Sequence, residues 1–595
     1  MILAELNNLY QRLSESGEDL IPTRGWTHVK VAWELDIDDS GRLLAIIPLT
    51  SGSGKAARAN VELVVPQDKQ RTSGVAPYFL WDNAQYLFGI DHDPDEEPSA
   101  RTISSHTTSM HLHEEILRDV ESPASQAVLK FLSSEPDHDL VRTAEGRKFL
   151  EGGFAVIRLN GDISYIHERP EMVKAWEEYL EEHDDGPLGT CSVTGERAHL
   201  ARIFPQVTGI PGAQSSGASL VSFNKESFES YGVKQAYNAS ISEQVAYGAG
   251  EALKYLFHDP LHHVNIGSTS IVFWADRPAE REDALLFRLF GGVLPAEDSS
   301  TVEMIDAAFS DIKCGRSLQG FDPETQYFIV GVSPNAARLA VRFFYADTLG
   351  SIASNYGQYL RDISMDRQDQ SSLGMLILQT APLGKRENVP STLLGPCYTA
   401  MLCGGRFPAS LLDTVLSRMR ADHGSNNKLD MGQRASLIRA CLLRIWRYRG
   451  QKDREGDLTM ALNRDNDNMG YLLGRLFAVM ERAQSAGIGE TNANIRDRYI
   501  GAAAATPARV FPQLFHGLQN SLTAARKRNA GLCVLLEKEL DEIVGSRLSG
   551  AASLPTTLDL EDQGEFYIGY YQERVDLWKP RSQRGTVAAD ANTEE

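Results

Sequence analysis

Beyond about residue 370 almost every segment carries apolar residues at a 3.6-residue spacing, and this long helical stretch constrains the fold more than any other feature. In RASLIRACLLRIWRYR, Leu437, Ile438, Cys441, Leu442 and Ile445 share one face, with Arg434, Arg444 and Arg447 largely off it. MGYLLGRLFAVMERAQ, TPARVFPQLFHGLQNSLTAARKR and LCVLLEKELDEIVGSRL continue the pattern across short connections, which predicts an antiparallel bundle. Upstream the period shortens to two. WTHVKVAWELDID, the turn Asp39-Ser40-Gly41 and RLLAIIPL read as a β-hairpin, and NVELVVP, QYLFGID, FAVIRL, TSIVFWAD and QYFIVGVS add strand-like runs. QYFIVGVS is expected to lead through Pro334 directly into helix-rich chain.

The fold class is therefore α+β. The expected order is an N-terminal mixed α/β region over 1–185 and a mixed continuation with a Gly/Ser/Gln loop over 186–369. A helix-rich connection over 370–468, a C-terminal antiparallel helical bundle over 469–578 and a disordered polar tail over 579–595 complete it. A length of 595 residues suits about three to four domains.

Charge bears on function. Lys and Arg number 59 against 80 Asp and Glu, a net −21, so the molecule as a whole repels nucleic acid and only a local basic surface would bind it. The six cysteines, Cys191, Cys314, Cys397, Cys403, Cys441 and Cys533, form no CxxC pair, which argues against a disulfide scaffold or structural zinc. MILAELNNLYQRLSE reads as an amphipathic helix rather than a signal peptide. No run of about 18 uncharged apolar residues occurs, so no membrane span is expected and a reducing cytoplasm is the expected location.

The motifs point away from catalysis. SGSGKAARA, with Lys55 and Arg58, lacks the spacing of a Walker A loop, and Ala56 stands where a magnesium-binding hydroxyl belongs. In LFHDPLHHVN, Pro260 breaks the helical spacing that His258, His262 and His263 would need to ligate metal together. Ser222 and Ser230 lack a GxSxG context. Neither a catalytic constellation nor a metal ion or cofactor is expected. The alternative is a Mg-dependent nuclease or nucleotide hydrolase that uses some of the carboxylates.

Amide, hydroxyl and cation clusters beside glycines do recur. PQDKQRTSGVAPYFLWDNAQY gathers Lys69, Arg71, Thr72, Ser73 and Asn83, and GIPGAQSSGASLVSFNK gathers Gln214, Ser215, Ser216, Gly217 and Asn224. Such donors suit phosphates and base edges, and glycine admits a close backbone approach. The same residue types also suit hydrogen-bonded structural turns. Arg418, Arg420, Arg434, Arg439, Arg444, Arg447 and Arg449 recur through the helical middle, where they fit either a solvated face or a nucleic-acid or subunit path.

These strings together resemble the Csd-type large subunit of the type I-C CRISPR surveillance complex, Cascade. The resemblance runs through MILAELNNLYQRL, PQDKQRTSG, FLWDN, CSVTGE, PGAQSSGASLVSFNKESFESYG, NASIS, VGVSPNAARLAVRFF, NVPSTLLG, MGYLLGRLFAVMERAQ, NANIRDRYIGAAAATPARVFPQLF and GEFYIGYYQER. The last motif departs from the family's usual GYYHQR at Gln572 and Glu573. The resemblance implies a non-enzymatic subunit that inspects the protospacer-adjacent motif (PAM) of duplex DNA and helps part its strands for guide pairing. Its implied partners are crRNA, target double-stranded DNA, the backbone and handle-binding Cascade subunits, and a helicase-nuclease recruited after R-loop formation. It also implies a small subunit made from the same reading frame, with Met469 the expected internal start ahead of Met460 and Met480. In the bundle, Arg475, Arg482, Arg496, Arg498, Arg526, Lys527 and Arg528 are then candidates for strand-backbone contacts.

Overall fold

The computed structural model describes residues 1–16, 20–51, 58–67, 74–135, 138–183, 186–294, 299–369, 371–422, 430–489, 494–548 and 554–579. Two compact units emerge: Met1–Gln206 with Val221–Tyr255, and Val207–Leu220 with Leu256–Glu595.

In the first unit, α1 (Ile2–Glu15) buries Leu6, Leu9 and Tyr10, as its spacing predicts. Its main strands are β1 (Trp26–Val31), β2 (Trp33–Ile37), β3 (Leu43–Pro48), β4 (Val61–Pro66), β5 (Trp81–Asp82) and β6 (Ala155–Leu159). β1 pairs with β4, and the other four form a sheet in the order β3-β2-β6-β5. The hairpin read from sequence is β2 and β3, antiparallel in register Trp33 to Pro48. Asp38 Oδ1 closes its turn by accepting the N–H groups of Ser40 and Arg42, both at 2.9 Å. Gly41 is required there, because φ is +81° and a Cβ would stand 2.6 Å from the Ala127 carbonyl oxygen. β2 is central and buried on both faces. Its two acids are therefore paired, Glu34 with Arg158 at 2.6 Å and Asp36 with the Asn160 amide at 2.8 Å.

FLWDN is core rather than surface. Phe79 stacks on Trp176, and Leu80 holds φ at +65° while its N–H donates to His113 Nε2 at 2.9 Å. His113, on α2 (Ala100–Leu117), is wholly buried, which pushes its imidazolium down to about 4 and keeps it a neutral acceptor. α3 (Pro170–Glu182) closes this core with Met172, Ala175 and Trp176.

α4 (Glu243–His258) ends as the second unit begins. There β7 (His263–Ile266), β8 (Thr269–Ala275), β9 (Gln326–Asn335) and β10 (Arg338–Thr348) run antiparallel in sequence order, and Ala218–Ser219 lies parallel to β10 at its outer edge. The expectation of helix directly after Pro334 is corrected here. The chain reverses at Asn335–Arg338, where Ala336 has φ +55°, and returns as a strand, since Val341, Phe343, Phe344, Tyr345 and Thr348 are β-branched or aromatic. Helix starts only at α5 (Leu349–Ile363), whose N-cap Thr348 accepts the Ser351 N–H.

The rest of this unit is helical: α6 (Met431–Tyr448), α7 (Met469–Ile488), α8 (Ile495–Ala505), α9 (Pro507–Arg528), α10 (Ala530–Leu540) and α11 (Leu560–Leu577). α7 and α11 meet backbone to backbone. A Cβ on Gly470 or Gly474 would lie 2.1 or 2.0 Å from a carbonyl oxygen of α11, and one on Gly569 would lie 2.3 Å from the Tyr471 carbonyl. α6 covers another face of α11, with Ile438 and Leu442 against Gly564. The expected boundary at 468/469 therefore falls inside one continuous hydrophobic core, which runs from Ile271 to Leu577.

Candidate nucleic-acid interface

Lys69, Arg71, Thr72 and Ser73 lie outside the described residues. Asn83 serves its own fold: it is the N-cap of the short helix Ala84–Leu87, its Oδ1 accepting the Gln85 N–H at 3.1 Å. The aromatic residues around it are committed too, Trp81 stacking on Tyr78 at 4.3 Å and donating its indole N–H to the Pro66 carbonyl.

The second cluster is different. Gln214, Ser215 and Ser216 are exposed, whereas Gly217 is buried with φ +97° and closes the turn by donating its N–H to the Gln214 carbonyl at 2.9 Å. The strand that follows hooks onto the β9–β10 turn, Ser219 N–H to the Ala337 carbonyl at 3.0 Å. Gly212 packs there against Pro334. Two tips thus share one end of the sheet, and the exposed Asn335 joins the glutamine and serines. Asn224 is exposed on the other unit.

Of the arginines of the helical middle, Arg434, Arg439 and Arg444 are buried, Arg418, Arg420 and Arg447 are partly buried and Arg449 is exposed, so for the buried three the expectation of a nucleic-acid path is corrected. α6 is buried almost all round. Arg444 is 1% exposed, bonds Asp362 at 2.8 Å and caps the carbonyls of Ala400 and Gly405. Arg447 shares Asp362 at 3.0 Å and reaches Glu455 at 2.7 Å. Arg439 spends its donors on the carbonyls of Leu458, Arg361 and Asp362, and Arg434 and Arg418 hold Asp422 between them. Arg420 bonds Gln563 and Arg449 pairs with Glu561. Arg475, 0% exposed, bonds Glu573 at 2.9 Å and Glu542 at 3.1 Å, so the motif departure at Glu573 supplies the partner of a buried guanidinium. A guanidinium enclosed with its carboxylate cannot reach a phosphate without leaving the core, and freeing it would strand the acid. Arg482 lies over the Trp578 ring at 4.4 Å.

Of the candidate cations in the bundle, those that face outward lie on α8 and α9. Arg496 is half-buried, and Arg498, Arg526, Lys527 and Arg528 are exposed, Arg526 pairing with Glu537. Between Asp497 and Glu537 the chain has no carboxylate at all, in a protein with 80 of them. On α9, Arg509, Gln513, His516, Asn520, Thr523 and Lys527 follow one another at three- and four-residue steps, every one exposed. The opposite face buries Val510, Phe511, Leu514, Leu518 and Leu522. At 1.5 Å per residue the stripe is about 27 Å long, enough to follow several phosphates of one strand. The sequence reading missed Arg509, Gln513, His516, Asn520 and Thr523; the local absence of acids was the signal that marks them.

Among the described residues no group of three or more His, Cys, Asp or Glu side chains is placed to hold a metal ion. His262 and His263 direct Nδ1 to the carbonyls of Phe273 and Asp259, in keeping with a polar-capped helix end. No helix among those residues is long and apolar enough to cross a membrane. No curated protein matches the chain. The family model of a CRISPR-associated protein, Cas_Csd1, matches residues 6–578.

Proposed function

Because the chain belongs to the Cas_Csd1 family of CRISPR-associated proteins, we propose that it is the non-catalytic large subunit of a type I-C, RNA-guided surveillance complex. In this reading it recognises the PAM in duplex DNA, helps open the strands for crRNA pairing and supports recruitment of the helicase-nuclease. Backbone and handle-binding subunits and crRNA hold it in place, so a small protein footprint suffices while base pairing reads the target.

The observation that carries the nucleic-acid reading is the carboxylate-free stripe of α9 in a chain of net charge −21. A long exposed helix face with only cations, amides, hydroxyls and a histidine suits a phosphate backbone, and the remaining acidity limits unproductive contacts. The paired tips at Gln214–Ser216 and Asn335 supply uncharged donors and acceptors, the chemistry of base edges. The internal start at Met469 belongs to the same proposal: it heads α7, with Asn468 as N-cap, and would release α7 to α11 as the small subunit.

The test is alanine at Gln214, Ser215 and Ser216 in the assembled complex. Loss of about 1–3 kcal/mol on the correct flanking motif, with non-specific binding unchanged, supports base readout by this tip. Equal loss on all duplexes, or none, removes it from the reading surface.

A further inference from the structure

The sheet of the second unit has two edges, and they are finished differently. The β10 side is guarded. Its ladder with β9 is bulged between Gly331 and Val332, and Ala218–Ser219 pairs with its start. A Cβ on Gly395, in the helix Ser391–Leu402, would stand 3.0 Å from the Arg342 carbonyl oxygen, so that helix lies directly on the strand. The β7 edge carries none of these devices. His263, Val264, Asn265 and Ile266 include no lysine or proline, and their register with β8 runs unbroken from the His263–Val272 pair to the Ile266–Thr269 pair.

That register also shows which backbone groups of β7 face out. The Phe273 N–H donates to the His262 carbonyl at 3.0 Å, so Val264 and Ile266, two and four residues on, spend their N–H and C=O groups on β8 as well. His263 and Asn265 alternate with them and turn theirs away from the sheet. Among the described residues no backbone hydrogen bond reaches those outward groups. Asn265 is exposed, and its side chain is fixed by the Ser270 hydroxyl, which donates to Oδ1 at 2.6 Å.

Beside this edge lies a cavity of about 130 Å³, built within the second unit. Val264 and Ile266 form its wall along the strand, and Phe290, Ile377, Val389 and Leu394 line it further in. Gly374, on the short helix Leu373–Leu378, leaves the space unfilled, since a Cβ there would come 3.0 Å from Ile266 Cγ2. Met375, 45% exposed, and the exposed Arg386 stand at the mouth. An apolar cavity of about 150 Å³ holds a benzene molecule, so this one has room for a single branched aliphatic side chain. Arg386 is the charged residue among the described lining residues, and its neighbours Lys385 and Glu387 offset each other at 3.5 Å.

Outward N–H and C=O groups at alternate positions recognise an extended backbone, and a pocket beside them selects one side chain of it. Residues on one face of a strand are two apart, so the residue that meets Arg386 lies two from the anchor. β7 itself carries no acid, so a second copy paired edge to edge would leave Arg386 unmatched. We propose that β7 and this cavity form a docking site for an extended segment of a partner protein. The segment adds to the sheet as a further strand, seats one branched aliphatic side chain in the cavity and sets a carboxylate two residues away against Arg386. The site goes beyond the functional reading above and does not depend on it, because it is built within one unit of the chain.

The experiment uses the full-length chain and, as probe, the fluorescein-labelled peptide Ser-Thr-Thr-Leu-Thr-Asp-Thr-Ser, read by fluorescence polarisation. Micromolar binding is expected. Alanine for the leucine, lysine for the aspartate, or N-methylation of the two threonines that flank the leucine should each weaken it about tenfold, the scale of one buried aliphatic side chain or a pair of strand hydrogen bonds. Met375→Asp and Arg386→Glu should weaken the parent peptide similarly, with thermal melting close to native because both side chains are exposed. Arg386→Glu should regain affinity for the lysine peptide. No binding of the parent peptide at millimolar concentration overturns the site, and native affinity for the N-methylated peptide overturns strand addition. A concentration-dependent dimer that Met375→Asp dissolves gives the edge to a second copy and overturns the partner segment.

Discussion

Asp362 shows how far residue types mislead without the fold. It is 1% exposed and holds Arg444 and Arg447, two cations that sequence alone offers equally to solvent, to DNA or to a partner. Removing one member of a buried pair leaves an uncompensated charge, so Arg444→Ala should destabilise the chain by about 3–5 kcal/mol in denaturant unfolding. Any loss of DNA affinity should then follow the folded fraction. A stable Arg444→Ala protein with selectively weakened DNA binding would return this arginine to the nucleic-acid path. Glu565 gives a pH signature. It is fully buried beside Arg454 at 2.5 Å, with Asp562 and Asp457 nearby, and burial pushes its carboxyl up to about 8. Its native state therefore keeps a proton that the unfolded chain releases near the usual 4.5. The contribution is complete below that value and is lost as pH rises through about 8. Glu565→Gln should flatten this decline in melting temperature between about pH 5 and pH 8; an unchanged decline would assign it to other groups.

At the scale of elements, amphipathic periodicity foretold α6, α7, α9 and α10, whereas α11, buried almost all round, shows no one-sided stripe to read. It did not foretell that α6 is enclosed on its arginine side as well, since enclosure depends on acids brought from α5 and from Glu455, distant in sequence. β10 escaped for a related reason. A run of aromatic and β-branched residues leading into a true helix reads as either state until Ala336 turns the chain back onto β9. At the candidate interface, the exposed Gln214–Ser216 tip lies where the glycines suggested, whereas Asn83 is a cap and the α9 stripe was legible only as missing carboxylates. That stripe carries its own prediction. Arg509→Glu with Lys527→Glu should weaken nucleic-acid binding by the complex and lower its salt slope by about one for each phosphate that is no longer neutralised. Thermal melting should stay close to native, because both side chains are exposed. Unchanged affinity across a salt titration would exclude the stripe from the strand path.

For the whole molecule, the shared core bears on whether the last helices have an independent life. In the full chain α11 depends on residues upstream of Met469: Gln572 donates to the Thr459 carbonyl, Tyr571 to the Asp366 carbonyl, and Glu565 pairs with Arg454. A product starting at Met469 keeps the glycine-mediated packing of α7 on α11 but uncovers the face that α6 occupies, so it should be less stable alone than within the complex. Expressing the native gene with a C-terminal tag should give a second band of bundle size, and silent change of the ribosome-binding region before Met469 should remove that band. Full DNA binding without it would rule out a needed small subunit.

The central claim, a binding subunit that reads DNA beside the target, is tested most directly by gel shift of the assembled complex. The duplexes should be identical except for the flanking motif, with magnesium present and the DNA recovered afterwards. The account predicts motif-dependent retention of intact DNA. Equal retention of every duplex, or cleavage by the purified chain that a defined carboxylate substitution abolishes, would contradict it.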